Sequence, residues 1–202
     1  MSKVIIIGSG IIGSSIAYEL SNNPQLEITL IDSKNPGTGS TGSALGLLMG
    51  VISHKTKGRG WKLRETSLQR YQTLLPELEA LTGLSIPYNK YGIVKLLFAP
   101  EQVAKYKKLA KVRQEQGYDL HVWDTDTLKD NCPEVNTEEI SKEPIVGAVY
   151  SPVDKQINPT NLTKALVQGA SLRGVECIFG EKVVDLAIDQ NTGVYSHTNP
   201  SI

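Results

Sequence analysis

Apolar residues follow two rhythms along this chain, and each change of rhythm marks an element. Val4-Ile5-Ile6-Ile7 is β-branched at every position, the composition of a strand buried on both faces in a parallel sheet. Past a glycine-rich turn, Ile12, Ile16, Ala17 and Leu20 recur on one face of a helix. Glu27-Ile28-Thr29-Leu30-Ile31 then reads as a second strand, so the opening forms a βαβ unit. The same opening does not suit a secretory leader, because glycines break the apolar run after Ile7 and Tyr18-Glu19 are polar. No later stretch approaches the ~18 apolar residues of a membrane span, and the chain reads as soluble and cytoplasmic.

Leu68, Tyr71, Leu75 and Leu78 make a helical stripe between Trp61 and Leu81, which Pro76 should kink or divide. A strand is expected from Gly92 to Phe98, and Pro100 opens a helix ending near Gly117. The Lys105, Lys107, Lys108, Lys111 and Arg113 of that helix have acids as neighbours in Glu101 and Glu115 and read as a solvated face, not a nucleic-acid patch. Leu120–Trp123 and Ile145–Tyr150 are short strands, and Asp124 caps the helix after the first of them. Asn158-Pro159 reads as N-cap and N1 of a helix with Leu162, Ala165, Leu166 and Gly169 on one face and Gly174 past its end. Asn161-Leu162-Thr163 spells a glycosylation sequon, but it falls inside this helix and is discounted. Val175–Phe179 should rejoin the first sheet, Lys182–Ile188 is a further strand, and NTGVYSHTNPSI reads as a polar tail.

The turn after the first strand, Gly8-Ser9-Gly10-Ile11-Ile12-Gly13, matches GxGxxG. One glycine permits the tight turn, one lets the backbone approach a pyrophosphate, and one lets the helix pack close to the strand. The helix dipole favours an anion there by roughly 0.3–1 kcal/mol, and each charge-assisted amide bond adds roughly 1.5–3 kcal/mol. The motif alone is a weak signal. It gains weight from the second strand and from Asp32, 19 residues beyond Gly13, where a carboxylate can accept both ribose hydroxyls.

A nicotinamide-binding half would run next through a helix to a third parallel strand. Here Gly37-Thr38-Gly39-Ser40-Thr41-Gly42-Ser43-Ala44-Leu45-Gly46 follows, small and rich in hydroxyls. Such a loop can lie along an extended dinucleotide, with Ser40 and Thr41 donating to phosphate oxygens and Gly46 allowing close approach. A flexible linker is the plainer alternative, but Ala44–Ile52 is mostly apolar and suits a segment under a flat ring.

GSGIIGSSIAYEL, IDS and GSTGSALGLL together resemble the start of the D-amino-acid-oxidase-like flavoenzymes, the glycine oxidase and sarcosine oxidase group. YGIVKLLF and GAVYSPVDKQINPTNLTKALVQGASLRGVECIFGEKVVDL resemble later parts of the same family, so the likeness runs from Ser2 to about Ile188. The resemblance implies an α/β fold: a Rossmann-like FAD-binding domain on a parallel sheet, with part of an inserted α+β substrate domain. The cofactor domain would take residues 1–84 and 153–202, the latter truncated, and the substrate segment residues 85–152. It implies FAD as cofactor, contacted by Gly8, Gly10, Ile11, Ile12, Gly13, Asp32, Ser33, Ser40, Thr41, Leu45, Gly46, Leu47 and the backbone of Val183. Leu48 and Met49 are further candidates to face the flavin. The implied reaction oxidises a primary or secondary amine or amino acid to an imine, with oxygen reduced to peroxide.

Composition trims the alternatives. Lys plus Arg and Asp plus Glu are 21 each, so the net charge is zero and nothing calls for nucleic acid or an anionic membrane. Cys132, Cys177 and the three histidines are scattered, which gives no metal or disulfide spacing and fits free thiols in a reducing compartment. An amino-acid substrate needs a positioned arginine, and Arg59, Arg64, Arg70, Arg113 and Arg173 sit in no substrate motif. In the family the substrate arginine and tyrosine lie in the later half, so no catalytic residue is assigned here. The chain reads as the N-terminal half of such an enzyme, inactive alone, with a separate chain or a homo-oligomer as possible partner. A nicotinamide-dependent dehydrogenase and an inert dinucleotide-binding or interaction module are the competing readings.

Overall fold

The computed structural model describes residues 2–136, 144–189 and 193–200. In chain order its elements begin with β1 (Ser2–Ile7), α1 (Ile11–Leu20), β2 (Leu26–Asp32), β3 (Leu47–Leu48), α2 (Gly58–Thr82), β4 (Ile93–Leu97) and α3 (Pro100–Glu115). There follow β5 (His121–Trp123), α4 (Thr125–Asn131), β6 (Gly147–Ser151), β7 (Lys155–Gln156), α5 (Pro159–Leu172), β8 (Glu176–Phe179), β9 (Glu181–Asp189) and β10 (Gly193–Pro200). The chain divides into two compact units, one of Met1–Gly46, Thr73–Pro87 and Ile157–Ile202, the other of Leu47–Gln72 and Tyr88–Gln156.

The first unit is built on a parallel sheet in the order β1-β2-β8. β8 pairs with β2, as expected for a strand rejoining the first sheet. β1 is not buried on both faces. Ile6 is buried, but Ile5 and Ile7, on the opposite face of the strand, are 41% and 53% exposed, and among the described residues β1 is paired on one side only. The helical face expected of α1 also differs. Ile12 is 75% exposed and Ile16 is exposed, while Ser14, Ala17 and Tyr18 turn inward. The first turns of the helix approach the strand too closely for a side chain at Gly13, and Ser14 and Ala17 are the small residues that follow on the inner face. The supposed polar tail supplies β10, which pairs antiparallel with β9; residues 191, 192, 201 and 202 of that stretch lie outside the described ones.

Tyr18 of α1 and Leu78 of α2 are buried and meet around Gly169 of α5, which also buries Leu162 and Leu166. The Tyr18 hydroxyl donates to Glu77 at 2.6 Å, Arg173 donates to the same carboxylate oxygen at 3.0 Å, and the guanidinium lies 4.3 Å from the Tyr18 ring centre. α2 runs as one helix through Pro76. Asn158 caps α5 as its sequence suggests, accepting from the Asn161 amide at 3.0 Å.

The second unit holds an antiparallel sheet in the order β4-β6-β5. Alternation along its strands divides two cores. Leu97 and Val149 join Tyr106 and Leu109 of α3, with Val51, Ile52 and Leu68, on one face. Ala148, Leu96 and Trp123 join Leu128 of α4 on the other. Asp124 caps α4 by accepting from the Thr127 amide at 2.8 Å. The basic face of α3 is solvated at its lysines, but Arg113 is not part of it: that side chain is fully buried.

Gly169 marks the tightest seam of the first unit's helices, since a Cβ there would lie 2.7 Å from Cε2 of Tyr18. Gly169→Val should therefore destabilise the fold by about 1–3 kcal/mol through overpacking. Urea denaturation followed by circular dichroism checks this, and an unshifted midpoint would refute the close packing.

A candidate dinucleotide seat

Parallel pairing sets Ile7 opposite Ile31, so the turn after β1 and the acid ending β2 emerge at the same end of the sheet. This is the carboxyl end, where open α/β sheets bind ligands. The Gly8 amide donates to Ile31 O at 2.8 Å, and Gly8 itself adopts φ +103°, a backbone that side chains disfavour. Gly13 meets the strand directly, for a Cβ on it would fall 1.9 Å from Gly8 O. Ser14 secures the contact by donating to Ser9 O at 3.0 Å.

Gly10 occupies the N-cap of α1 and offers no side-chain cap. The Ile11 amide is taken by Thr41 Oγ1 at 3.0 Å, which brings the hydroxyl-rich loop to the helix N-terminus. Thr41 keeps its own proton for donation. A Cβ at position 10 would come within 3.2 Å of that hydroxyl and enter the space above the helix end. The next first-turn amides, of Ile12 and Gly13, have no partner within a helix and add to the positive end of its dipole.

Asp32 is tied to the turn rather than merely near it. Its Oδ2 accepts from the Ser9 amide at 2.6 Å and the Ser9 hydroxyl at 2.9 Å, and its Oδ1 from the Lys34 amide at 2.9 Å. Burial works against its charge, yet hydrogen bonds from the Ser9 and Lys34 amides, the Ser9 hydroxyl and the Ser33 amide outweigh it. The carboxyl is held below its ordinary pKa. Oδ2 thus carries two donors already, and Oδ1, with the Lys34 amide on it, is the oxygen with room for a further donor.

Of the residues expected from sequence, Gly8, Gly10, Ile11, Ile12, Gly13, Asp32, Ser33 and Thr41 gather around this turn. Ser40 is exposed beside Thr41, and Leu45 is exposed farther along the same loop. Gly46 has φ +68°, and a Cβ there would fall 1.9 Å from Ile157 O. Val183 is a strand residue three positions beyond Gly180, whose amide donates to Asp32 O at 2.9 Å. Leu47 belongs to the second unit. Sequence reasoning missed Ser9, the buried residue that joins Asp32 to the glycine turn; its polar side chain between two glycines was the available signal. Among the described residues no helix is long and apolar enough to cross a membrane, and no group of side chains is placed to hold a metal.

A glycine turn opening a helix at the end of a parallel strand, with an acid at the end of the next, defines a dinucleotide-binding unit. The glycine cradle and the acceptor capacity of Asp32 fit the pyrophosphate and ribose of FAD. The family profile "DAO: FAD dependent oxidoreductase" matches residues 3–201, and the chain belongs to that family, whose cofactor is FAD. It is 29% identical over 179 residues to glycine oxidase of Bacillus subtilis, covering 86% of this chain and 44% of that protein. The crystal structure of glycine oxidase from Geobacillus kaustophilus superposes with a TM-score of 0.84 at 23% identity, over 98% of this chain and 52% of that one. L-alpha-glycerophosphate oxidase from Mycoplasma pneumoniae, solved with FAD bound, gives a TM-score of 0.82 at 18% identity, over 98% of this chain and 50% of that one. The chain thus spans about half the length of these proteins, and 19% of rat mitochondrial dimethylglycine dehydrogenase, with which it shares 26% identity over 86% of its own length.

A carboxyl whose pKa is depressed by folding contributes stability that is present above its unfolded value of about 3.9 and is lost as pH falls through the folded value. Asp32→Asn should therefore be less stable than the parent chain at pH 7, with the gap closing as pH falls below about 4. Urea midpoints at pH 7, 5 and 3 check this; a gap independent of pH would disprove the role of the charge.

Proposed function

We propose that this chain is the FAD-binding half of an oxidoreductase acting on a primary or secondary amine or an amino acid, in the manner that glycine oxidase is named for. The observation that carries the reading is the single cradle formed by Gly8, Gly10, Gly13, Thr41 and Asp32, with Ser9 joining the acid to the turn. In this reading the first unit holds the cofactor and the second takes the substrate-domain role. The unbridged thiols of Cys132 and Cys177 support a reducing, cytoplasmic setting.

The first-turn amides of α1 take the pyrophosphate, and Ser40 and Thr41 donate to its oxygens. Asp32 accepts from the ribose hydroxyls, with its charge maintained by the four donors already on it. Ser33 and the backbone of Val183 flank the adenosine end, while Leu45 and Gly46 line the path toward the flavin. Bound FAD supplies the hydride acceptor. Arg64, Arg113 and Arg173 donate to partners within the chain, so none of the three is set aside for an amino-acid carboxylate.

Titration of the purified chain with FAD, followed by quenching of flavin fluorescence, should show saturable binding that Gly10→Val weakens at least ~10-fold, about 1.4 kcal/mol or more. The same protein supplied with glycine or sarcosine should release no peroxide above a flavin blank. Absence of FAD binding sinks the cofactor role, and steady peroxide release shows that this half alone is an oxidase.

A further inference from the structure

The peptide groups of β1 divide between its two edges by residue parity. The Ser2 amide donates to Gln25 O at 3.0 Å and the Gly8 amide to Ile31 O at 2.8 Å, so the even-numbered residues turn their peptide groups toward β2. Strand geometry turns those of Lys3, Ile5 and Ile7 the other way, onto an edge that meets no strand among the described residues. The side chains of the same three residues share one face and are exposed. That face lies away from α1, because a Cβ on Gly13 of the helix would fall 3.3 Å from Ile6 Cγ2, on the other face.

Parallel sheets are ordinarily covered on both faces, and open edges are blunted by charge, proline or a bulge. β1 has no proline and runs against β2 without a register shift. Its one charge, Lys3, is drawn to Glu27 at 3.4 Å.

The open edge is complementary to itself. A two-fold axis through Ile5, perpendicular to the sheet, lays β1 antiparallel to β1 of a second copy. Ile5 then faces Ile5, and Lys3 faces Ile7, in pairs that each exchange both peptide hydrogen bonds, about six bonds in all. A slip of one residue would set outward peptide groups against inward ones. Charge agrees with this register. The Lys3 stem lies along Ile7 of the other copy, no like charges are opposed, and a net charge of zero gives the copies no general repulsion.

We propose that two copies of this chain associate by antiparallel pairing of their β1 edges, centred on Ile5, so that one sheet runs through both. The axis carries α1 of each copy on the same side of the joined sheet. It sends the two glycine turns to opposite ends, where neither lies in the contact.

Sedimentation equilibrium of the full 202-residue chain tests this without FAD, from about 5 to about 500 µM, the range of a small transient interface. The chain should pass reversibly from one to two copies and stop there, since the two-fold uses up both β1 edges. Ile5→Lys and Ile5→Glu each set like charges opposite one another at the axis, and each should weaken the dimer at least ~10-fold. An equimolar mixture of the two should recover most of that loss, because opposite charges then meet. Leu172→Lys, at an exposed leucine of α5, should stay within about twofold of the parent. Should the Ile5 variants fail to fold, Ile7 carries the test: Ile7→Lys, opposite Lys3 of the second copy, should weaken the dimer at least ~5-fold, and Ile7→Glu should not. A chain that stays monomeric throughout, or grows past two copies, overturns the proposal. So does a mixture no tighter than its components, an equal loss in Leu172→Lys, or an equal loss in both Ile7 variants.

Discussion

No methyl group fits between the first helix and the first strand. With 1.9 Å available between Gly8 O and a Cβ at Gly13, the backbone of α1 must rest directly on the turn that leaves β1. That approach favours small residues next to it: Ser14 and Ala17 are buried, while Ile12 and Ile16 are exposed. It also sets the helix N-terminus at the sheet's carboxyl end, beside Gly10 and the Thr41 hydroxyl that meets it. Asp32, arriving one strand over, finds the Ser9 amide and hydroxyl already in place. The dinucleotide seat is therefore a consequence of close packing, and its chemistry is delivered mostly by backbone.

The two units solve the same problem in different ways. Loops must keep their shape while their peptide groups lie outside any long ladder. In the first unit a half-buried carboxylate, Asp32, gathers donors from the turn and from its own chain. In the second, a buried carboxylate takes the amides of the Gly50–Ile52 loop and a buried guanidinium takes its carbonyls. Burial pushes the pKa of Arg113 down, and the charges of Asp154, Glu65 and Tyr118 oppose this; an arginine keeps its proton regardless. The two opposite charges thus act through the peptide groups held between them.

Much of this architecture was legible in the residues. The β-branched run, the GxGxxG turn and Asp32 located the first sheet and its ligand end, because glycine spacing and strand composition are local properties. The caps at Asp124 and Asn158 were legible for the same reason. Burial was harder to read. Ile5, Ile7, Ile12 and Ile16 carry the composition of a core, but whether a residue is covered depends on neighbours remote in sequence. Arg113 shows the converse, since its spacing placed it on a basic helical face and only tertiary structure brings four carbonyls to it. Ser9 and Asp154 escaped notice because their partners are backbone amides, and amides leave no mark in a sequence.

β1 carries a double character. One paired side builds the sheet on which the glycine turn stands, while among the described residues the main-chain groups of its other side, flanked by Ile5 and Ile7, meet no strand. Its only charged side chain is Lys3, itself drawn toward Glu27 at 3.4 Å and so a modest deterrent to a second strand. The strand that gives the cofactor seat its footing is thereby also a template for colloidal self-association.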